Sequence, residues 1–163
     1  MKLLYIIYGP PGTGKSTFSV KLSKEIGIKD NSVICCADDF HIIDGEYKWK
    51  LENQNNAHKA CREKCEHLMR SNSSRVIIAN TNTKISEMVP YIDMAKIFGY
   101  SIAFCYPRYN FSSEELYSRN VHNVPISTIE SMKNRLTNNE KIKQFMQEKY
   151  SELSCLFLIF ENK

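Results

Sequence analysis

Residues Gly9 to Thr17 read Gly-Pro-Pro-Gly-Thr-Gly-Lys-Ser-Thr, which satisfies the spacing G-x-x-x-x-G-K-[ST]. Those residue types fit one chemistry. Glycine at positions 9, 12 and 14 allows the loop, which also holds Pro10, Pro11 and Thr13, to turn successive N–H groups inward around phosphate oxygens. Lys15 adds a cation for the β- and γ-phosphates, Ser16 a hydroxyl ligand for Mg²⁺, and Thr17 supports a helix start whose positive end points at the same anion. The pattern therefore implies a nucleoside triphosphate, provided a strand precedes it and a helix follows. Asp38 and Asp39 come directly after the apolar run Val33-Ile34-Cys35-Cys36-Ala37. Phosphoryl transfer to a hydroxyl needs a carboxylate to accept the hydroxyl proton and to help position metal or water, and Asp38 is the better placed. A capping or turn aspartate is the competing reading. Asn80, Thr81 and Asn82 follow a second apolar run and serve either to orient a phosphate or water, or to form a local turn.

The elements that must hold these residues can be read from periodicity. Leu3 to Tyr8 is short, apolar and β-favouring, as a strand buried on both faces should be. Ser16 to Ile26 places Phe18, Leu22 and Ile26 on one helical face and stops at Gly27. Further strands are expected at 33–37, 75–79, 101–105 and 156–160. A tight turn is expected over Ile43-Asp44-Gly45-Glu46. Helices are expected at 55–70 (inner stripe Ala57, Cys61, Cys65, Leu68), 87–98, 113–120, 125–136 and 139–149. Strands alternating with helices require crossover connections, so the expected fold is α/β: a parallel sheet of about five strands with helices on both faces. In such a sheet the ligand lies beyond the carboxyl ends of the strands, where Gly9, Asp38 and Asn80 all fall.

A length of 163 residues suits one domain, 1–163. The net charge of +4 is mild and spread out, which tolerates a polyanionic partner without demanding one. Met1 to Tyr8 is too short for a signal peptide, and no stretch is long enough to span a membrane. The six cysteines are scattered through apolar or helical surroundings, which suggests reduced thiols and a cytosolic or nuclear setting. Cys61 and Cys65 lie one helical turn apart, but no further pair at zinc spacing accompanies them.

GPPGTGKST, ADDF at 37–40, IIANTNT at 77–83, PYIDMAKIFGY at 90–100 and RNVHNVP at 119–125, with Met132 and Arg135 after it, resemble the polynucleotide-kinase-type P-loop kinases. That group includes the kinase domains of phage polynucleotide kinase, of polynucleotide kinase 3′-phosphatase and of related ubiquitin-ligase-binding proteins, and the likeness covers about residues 1–136. The resemblance implies an ATP- and Mg²⁺-dependent P-loop kinase with a small helical lid at about 107–136, which passes the γ-phosphate to a 5′-hydroxyl of DNA or RNA. It implies that Lys15 and Ser16 hold phosphates and metal, that Asp38 is the general base and shares the metal, and that Arg119 reaches over the triphosphate from the lid. Asp39, His41, Thr81 and Asn82 are assigned to the acceptor. The chain departs from the pattern twice: His41 stands where the phage enzyme has an arginine, and Ala79 where many P-loop enzymes place a metal-orienting aspartate. His58 is either a substrate contact or a helix histidine bonded to a loop. Tyr47 and Trp49 are placed to stack a nucleobase or to cover a sheet edge. A kinase of a small molecule or of a tRNA adduct uses the same parts. So does a weakly hydrolysing nucleotide-binding interaction module. No [NT]-K-x-D guanine-reading motif follows a late strand, and Thr83-Lys84-Ile85-Ser86 is only a near miss, which favours ATP over GTP.

Overall fold

The structure, a computed structural model, describes residues 1–161. Among the described residues the strands are β1 (Leu3–Ile7), β2 (Ile34–Cys35), β3 (Ile42–Ile43), β4 (Glu46–Tyr47), β5 (Arg75–Ala79), β6 (Ser101–Arg108) and β7 (Cys155–Glu161). The helices are α1 (Lys15–Glu25), α2 (Gln54–Arg70), α3 (Ile85–Phe98), α4 (Ser113–Arg119), α5 (Ile126–Arg135) and α6 (Asn139–Lys149). Five strands form one parallel sheet in the order β2-β5-β1-β6-β7, as the alternation of strands and helices requires. β1 lies at the centre with all five side chains buried, because both of its faces are covered.

Side chains alternate across the strands and sort into two cores. Leu4, Ile6, Val76, Ile78, Ile102 and Phe104 face α2, α3 and α6 through Cys61, Ile92 and Met146. Leu3, Tyr5, Ile7, Ile77 and Ala103 face α1 through Leu22. The inner stripe of α2 is Ala57, Cys61, Cys65 and Met69, one position along from the expected Leu68. Helix α3 begins at Ile85, two residues before the expected start, because Glu87 Oε1 accepts from the Lys84 N–H at 3.2 Å and caps it. Pro90 therefore lies in its second turn.

The expected strand at 33–37 is shorter in the structure. Only Ile34 and Cys35 pair with β5, after which Ala37–His41 winds into a short 3₁₀ turn. The cause is Asn80: its Oδ1 accepts from the Ala37 N–H at 2.8 Å and draws the chain off the ladder. Asp38 thereby sits in the first turn of a tight helix at the carboxyl end of the sheet. β3 and β4 then form a hairpin across Asp44-Gly45, both with positive φ, as a two-residue hairpin turn demands.

Candidate functional site

The phosphate loop is stitched to its neighbours at the sheet's carboxyl edge. Tyr8 N–H donates to Cys105 O at 3.1 Å and Gly9 N–H to Thr81 O at 2.8 Å, so the loop leaves β1 between β5 and β6. Thr13 Oγ1 donates to Pro10 O at 2.8 Å and tightens the curve. Gly14, with φ 86°, is the N-cap of α1 and carries no side chain that would compete for the helix's free N–H groups. The first turn of α1 holds no acidic residue, so its positive end is left for an anion. Lys15 Nζ donates to Pro10 O at 2.8 Å, inside the rim of the loop. Burial lowers its pKa from 10.5 to about 8, against the opposing pull of Cys36 and Asp38.

Across a cleft of about 670 Å³ stands Asp38, half-buried. Its Oδ1 accepts from the Tyr47 hydroxyl at 3.3 Å, and its Oδ2 lies 3.5 Å from His122 Nε2. The rings of Tyr47 and His122 pack with centroids 4.1 Å apart and planes tilted by 32°. Burial and the neighbouring Asp38 carboxylate both push the Tyr47 hydroxyl pKa up, so it stays a proton donor. Behind them Gln54 organises three side chains: its Oε1 accepts from Trp49 Nε1 at 2.8 Å and lies 3.1 Å from His41 Nε2, and its amide nitrogen is 3.1 Å from His58 Nε2. Desolvation lowers the pKa of His58, in keeping with a neutral ring that accepts from Gln54.

The α4–α5 segment closes the third side. Arg119 Nε donates to Gly12 O at 3.0 Å, and its guanidinium carbon lies 4.2 Å from the centre of the Phe111 ring. The fit is close: a Cβ on Gly12 would stand 2.5 Å from Leu116 O. Pro11, Gly12, Gly14, Lys15, Ser16, Thr17, Asp38, Thr81 and Arg119 all line this cleft, which brings the two halves of the expected chemistry together. Gly9, Pro10 and Thr13 shape the loop from behind it. Tyr47, Trp49 and His58 line it as well.

Three residues expected at the acceptor lie elsewhere. His41 is 2% exposed, packed edge-on against Tyr47 and bonded to Gln54, so its ring supports the cleft wall from inside. Asn82 is 2% exposed and donates to Ile7 O at 2.9 Å, a tie from the end of β5 to the end of β1. Asp39 is exposed and outside the lining. The sequence reading missed the parts played by Gln54, by Asn80 and by His122, although His122 lies within the RNVHNVP segment it singled out. Cys61 and Cys65 are free, buried thiols in the core beneath the sheet. No described helix is long and apolar enough to cross a membrane.

Comparisons with known proteins bear on the family and the fold. The sequence model of a family described as AAA domain matches residues 4–138. Human NEDD4-binding protein 2 (Homo sapiens) is 30% identical over 132 residues, which is 80% of this chain and 7% of that protein. A chain in the structure of the Pnkp1/Rnl/Hen1 complex is 27% identical, with a TM-score of 0.53 over 72% of this chain and 38% of its own. The chain thus spans only a small part of the first and well under half of the second. A gluconokinase from Sinorhizobium meliloti 1021 shares the fold, with a TM-score of 0.57 at 14% identity over 96% of this chain and 81% of its own.

Proposed function

Since the chain belongs to the AAA-domain family and has a P-loop kinase fold, we propose that it is an ATP-dependent kinase that phosphorylates a 5′-hydroxyl at the end of DNA or RNA. One observation carries the reading: Lys15, Arg119 and Asp38 face a single cleft, two cations at the phosphate loop and one carboxylate opposite. In the proposed step the acceptor O–H bond breaks and its proton passes to a carboxylate oxygen of Asp38. The hydroxyl oxygen bonds to the γ-phosphorus, the bond from that phosphorus to the β–γ bridging oxygen breaks, and the electron pair leaves with ADP. Lys15 and Arg119 offset the charge on the transferred group. The donor set fits Mg²⁺: Ser16 is exposed to the cleft and Asp38 faces it, both hard oxygen ligands of the kind an ion uses when it takes its remaining ligands from water and phosphate. When bound, Mg²⁺ would supply further charge neutralisation at the phosphates.

On the acceptor side, Tyr47 and Trp49 offer ring faces, and Thr81 a polar edge. One observation favours a second reading. The lysine and arginine that line the cleft, Lys15 and Arg119, both lie at the phosphate loop. Among the described residues, the acceptor end of the lining therefore carries no lysine or arginine of its own, which suits an uncharged small molecule such as a nucleoside as well as a strand end. Incubation with labelled ATP and a panel of 5′-hydroxyl oligonucleotides, nucleosides, small polyols and tRNA separates the two by which acceptor takes up label. Asp38→Asn is expected to lower transfer by at least about a hundredfold with little change in ATP affinity, since a general base acts mainly in the transition state. Asp39→Asn is expected to cost less, and the reverse order would remove Asp38 from that role.

A further inference from the structure

The chemistry above uses Arg119 of the α4–α5 segment but leaves His122, three residues further on, without a task. We infer that His122 is a positioning residue: seated on the phosphate loop, the segment uses it to set the carboxylate of Asp38, so that the loop's cation and the base are aligned by one piece of chain. The inference rests on the kinase reading above. Three observations carry it. His122 Nε2 lies 3.5 Å from Asp38 Oδ2, within ion-pair distance, while the Tyr47 hydroxyl donates to Oδ1 at 3.3 Å, so the carboxylate has a polar neighbour at each oxygen. The other ring nitrogen, Nδ1, is buried with no hydrogen-bond partner among the described residues, so the polar contact the ring makes there is the one to Asp38. The segment that delivers it is also stapled. Asn120 Oδ1 accepts from the Val124 N–H at 2.9 Å, and Asn120 Nδ2 donates to Tyr117 O at 2.6 Å. Asn123, with φ 54°, turns the chain in a left-handed step within that staple.

Arg119 and His122 therefore share one short stretch of chain, the first bonded to Gly12 O of the phosphate loop and the second within ion-pair distance of the base. A shift of this stretch moves both at once, and a base displaced by about 1 Å loses on the order of a hundredfold in rate. Tyr47 packs against the ring from the β3–β4 hairpin, with centroids 4.1 Å apart and planes tilted by 32°, so the imidazole is backed by one wall while its Nε2 edge faces the carboxylate.

The test compares three substitutions that separate the ring's polar contact with Asp38 from its packing on Tyr47. His122→Ala is expected to lower kcat for acceptor phosphorylation about thirtyfold with the ATP KM within about twofold, the signature of an interaction felt in the transition state. His122→Phe keeps a ring packed on Tyr47 without a donor and is expected to lose as much. His122→Gln keeps a donor and is expected to recover a substantial part. In an Asp38→Asn background, where there is no carboxylate left to set, His122→Ala is expected to cost less than about threefold further. A His122→Phe protein as active as the wild type, or losses that multiply in the double variant, would overturn the inference. A second arm needs no turnover. In protein labelled with ¹⁵N-histidine, the His122 ring is expected to carry its proton on Nε2, and the ring signals to shift when Asp38 is changed to Ala. Ring signals indifferent to Asp38 would refute the pairing. If the wild type labels no acceptor at all, the kinase reading falls while this arm still decides the pairing.

Discussion

The two walls of the cleft are built by opposite means. The phosphate-loop wall is one continuous stretch, residues 9–17, where we place the triphosphate on backbone N–H groups with Lys15 and Ser16 beside them. The acceptor wall is gathered from four places: Asp38 on a 3₁₀ turn, Tyr47 and Trp49 on and just beyond a hairpin, Gln54 and His58 at the start of α2, and His122 from between α4 and α5. Nothing but the fold brings them together. A site made of backbone tolerates little substitution at the positions that bend it, whereas a site made of side chains depends on distances between segments. The first should therefore fail sharply when a single residue changes, and the second by degrees.

The largest effect is expected at Lys15. Lys15→Met should reduce phosphoryl transfer by about a thousandfold or more, since it removes the cation that meets the transferred phosphate. The same change should leave the free protein as stable as before or more so. Burial holds the amine's pKa at about 8 in the fold against 10.5 ordinarily. Between those values the unfolded chain binds the extra proton, so stability rises with pH through that window and the full cost of burying the charge is felt below about pH 8. Thermal melts should show Lys15→Met equal to or above wild type at pH 7, by up to a few degrees, with the gap shrinking as pH approaches 10.5. A clear loss of stability at pH 7 would mean that the lysine holds the loop together and that its role is structural.

Gly12 comes next and tests whether the lid is truly seated on the backbone of the loop. Its φ of 83° and the 2.5 Å approach of Leu116 O leave no space for a methyl group, and the obstructing atom belongs to a helix backbone that cannot swing aside. Gly12→Ala should push α4 outward, break the Arg119 bond to Gly12 O and lower kcat/KM for ATP by on the order of ten- to a hundredfold. The check is steady-state kinetics of Gly12→Ala beside Arg119→Ala. If the glycine acts through the arginine, the double variant should be little worse than Gly12→Ala alone. Additive losses would separate the two.

The same contrast explains what the amino-acid sequence reveals. The order of strands and helices, the parallel sheet and the placing of Gly9 to Thr17 and Asp38 at its carboxyl edge all follow from local patterns, because apolar periodicity and the crossover rule act over short stretches. Arg119 came from likeness, and it does line the cleft. His41 shows where the reading stops. Its place in the sequence, three residues after Asp38, suggests a group aimed at the acceptor, but the 3₁₀ turn carries it round so that its ring lies inside, against Tyr47 and Gln54. That turn exists because Asn80, 43 residues away, takes the Ala37 N–H. Asn82 is similar: a short polar residue after a strand, used to tie Ile7 O rather than to face the ligand. In both, a long-range hydrogen bond sets the local geometry, and no window of sequence contains both partners.

The smallest effect is expected at Trp49, and it asks whether the acceptor wall reads a base at all. The indole is about half exposed at the cleft, with its Nε1–H spent on Gln54 Oε1 at 2.8 Å, so the ring is oriented by a bond that leaves a face free. A nucleobase stacked there would contribute about 1–3 kcal/mol, but an exposed face in partial contact belongs at the lower end of that range. Trp49→Ala should therefore raise the KM for a 5′-hydroxyl oligonucleotide about five- to tenfold with kcat nearly unchanged, and Trp49→Phe, which keeps a ring but not the bond to Gln54, should fall between. Because this is the only tryptophan, its fluorescence gives an independent reading: binding of the oligonucleotide should quench it, and a non-aromatic acceptor such as a polyol should not. If the polyol proves the better substrate and Trp49→Ala leaves its KM alone, the wall serves a small molecule, and the indole is there to hold Gln54 and, through it, His41 and His58 in place.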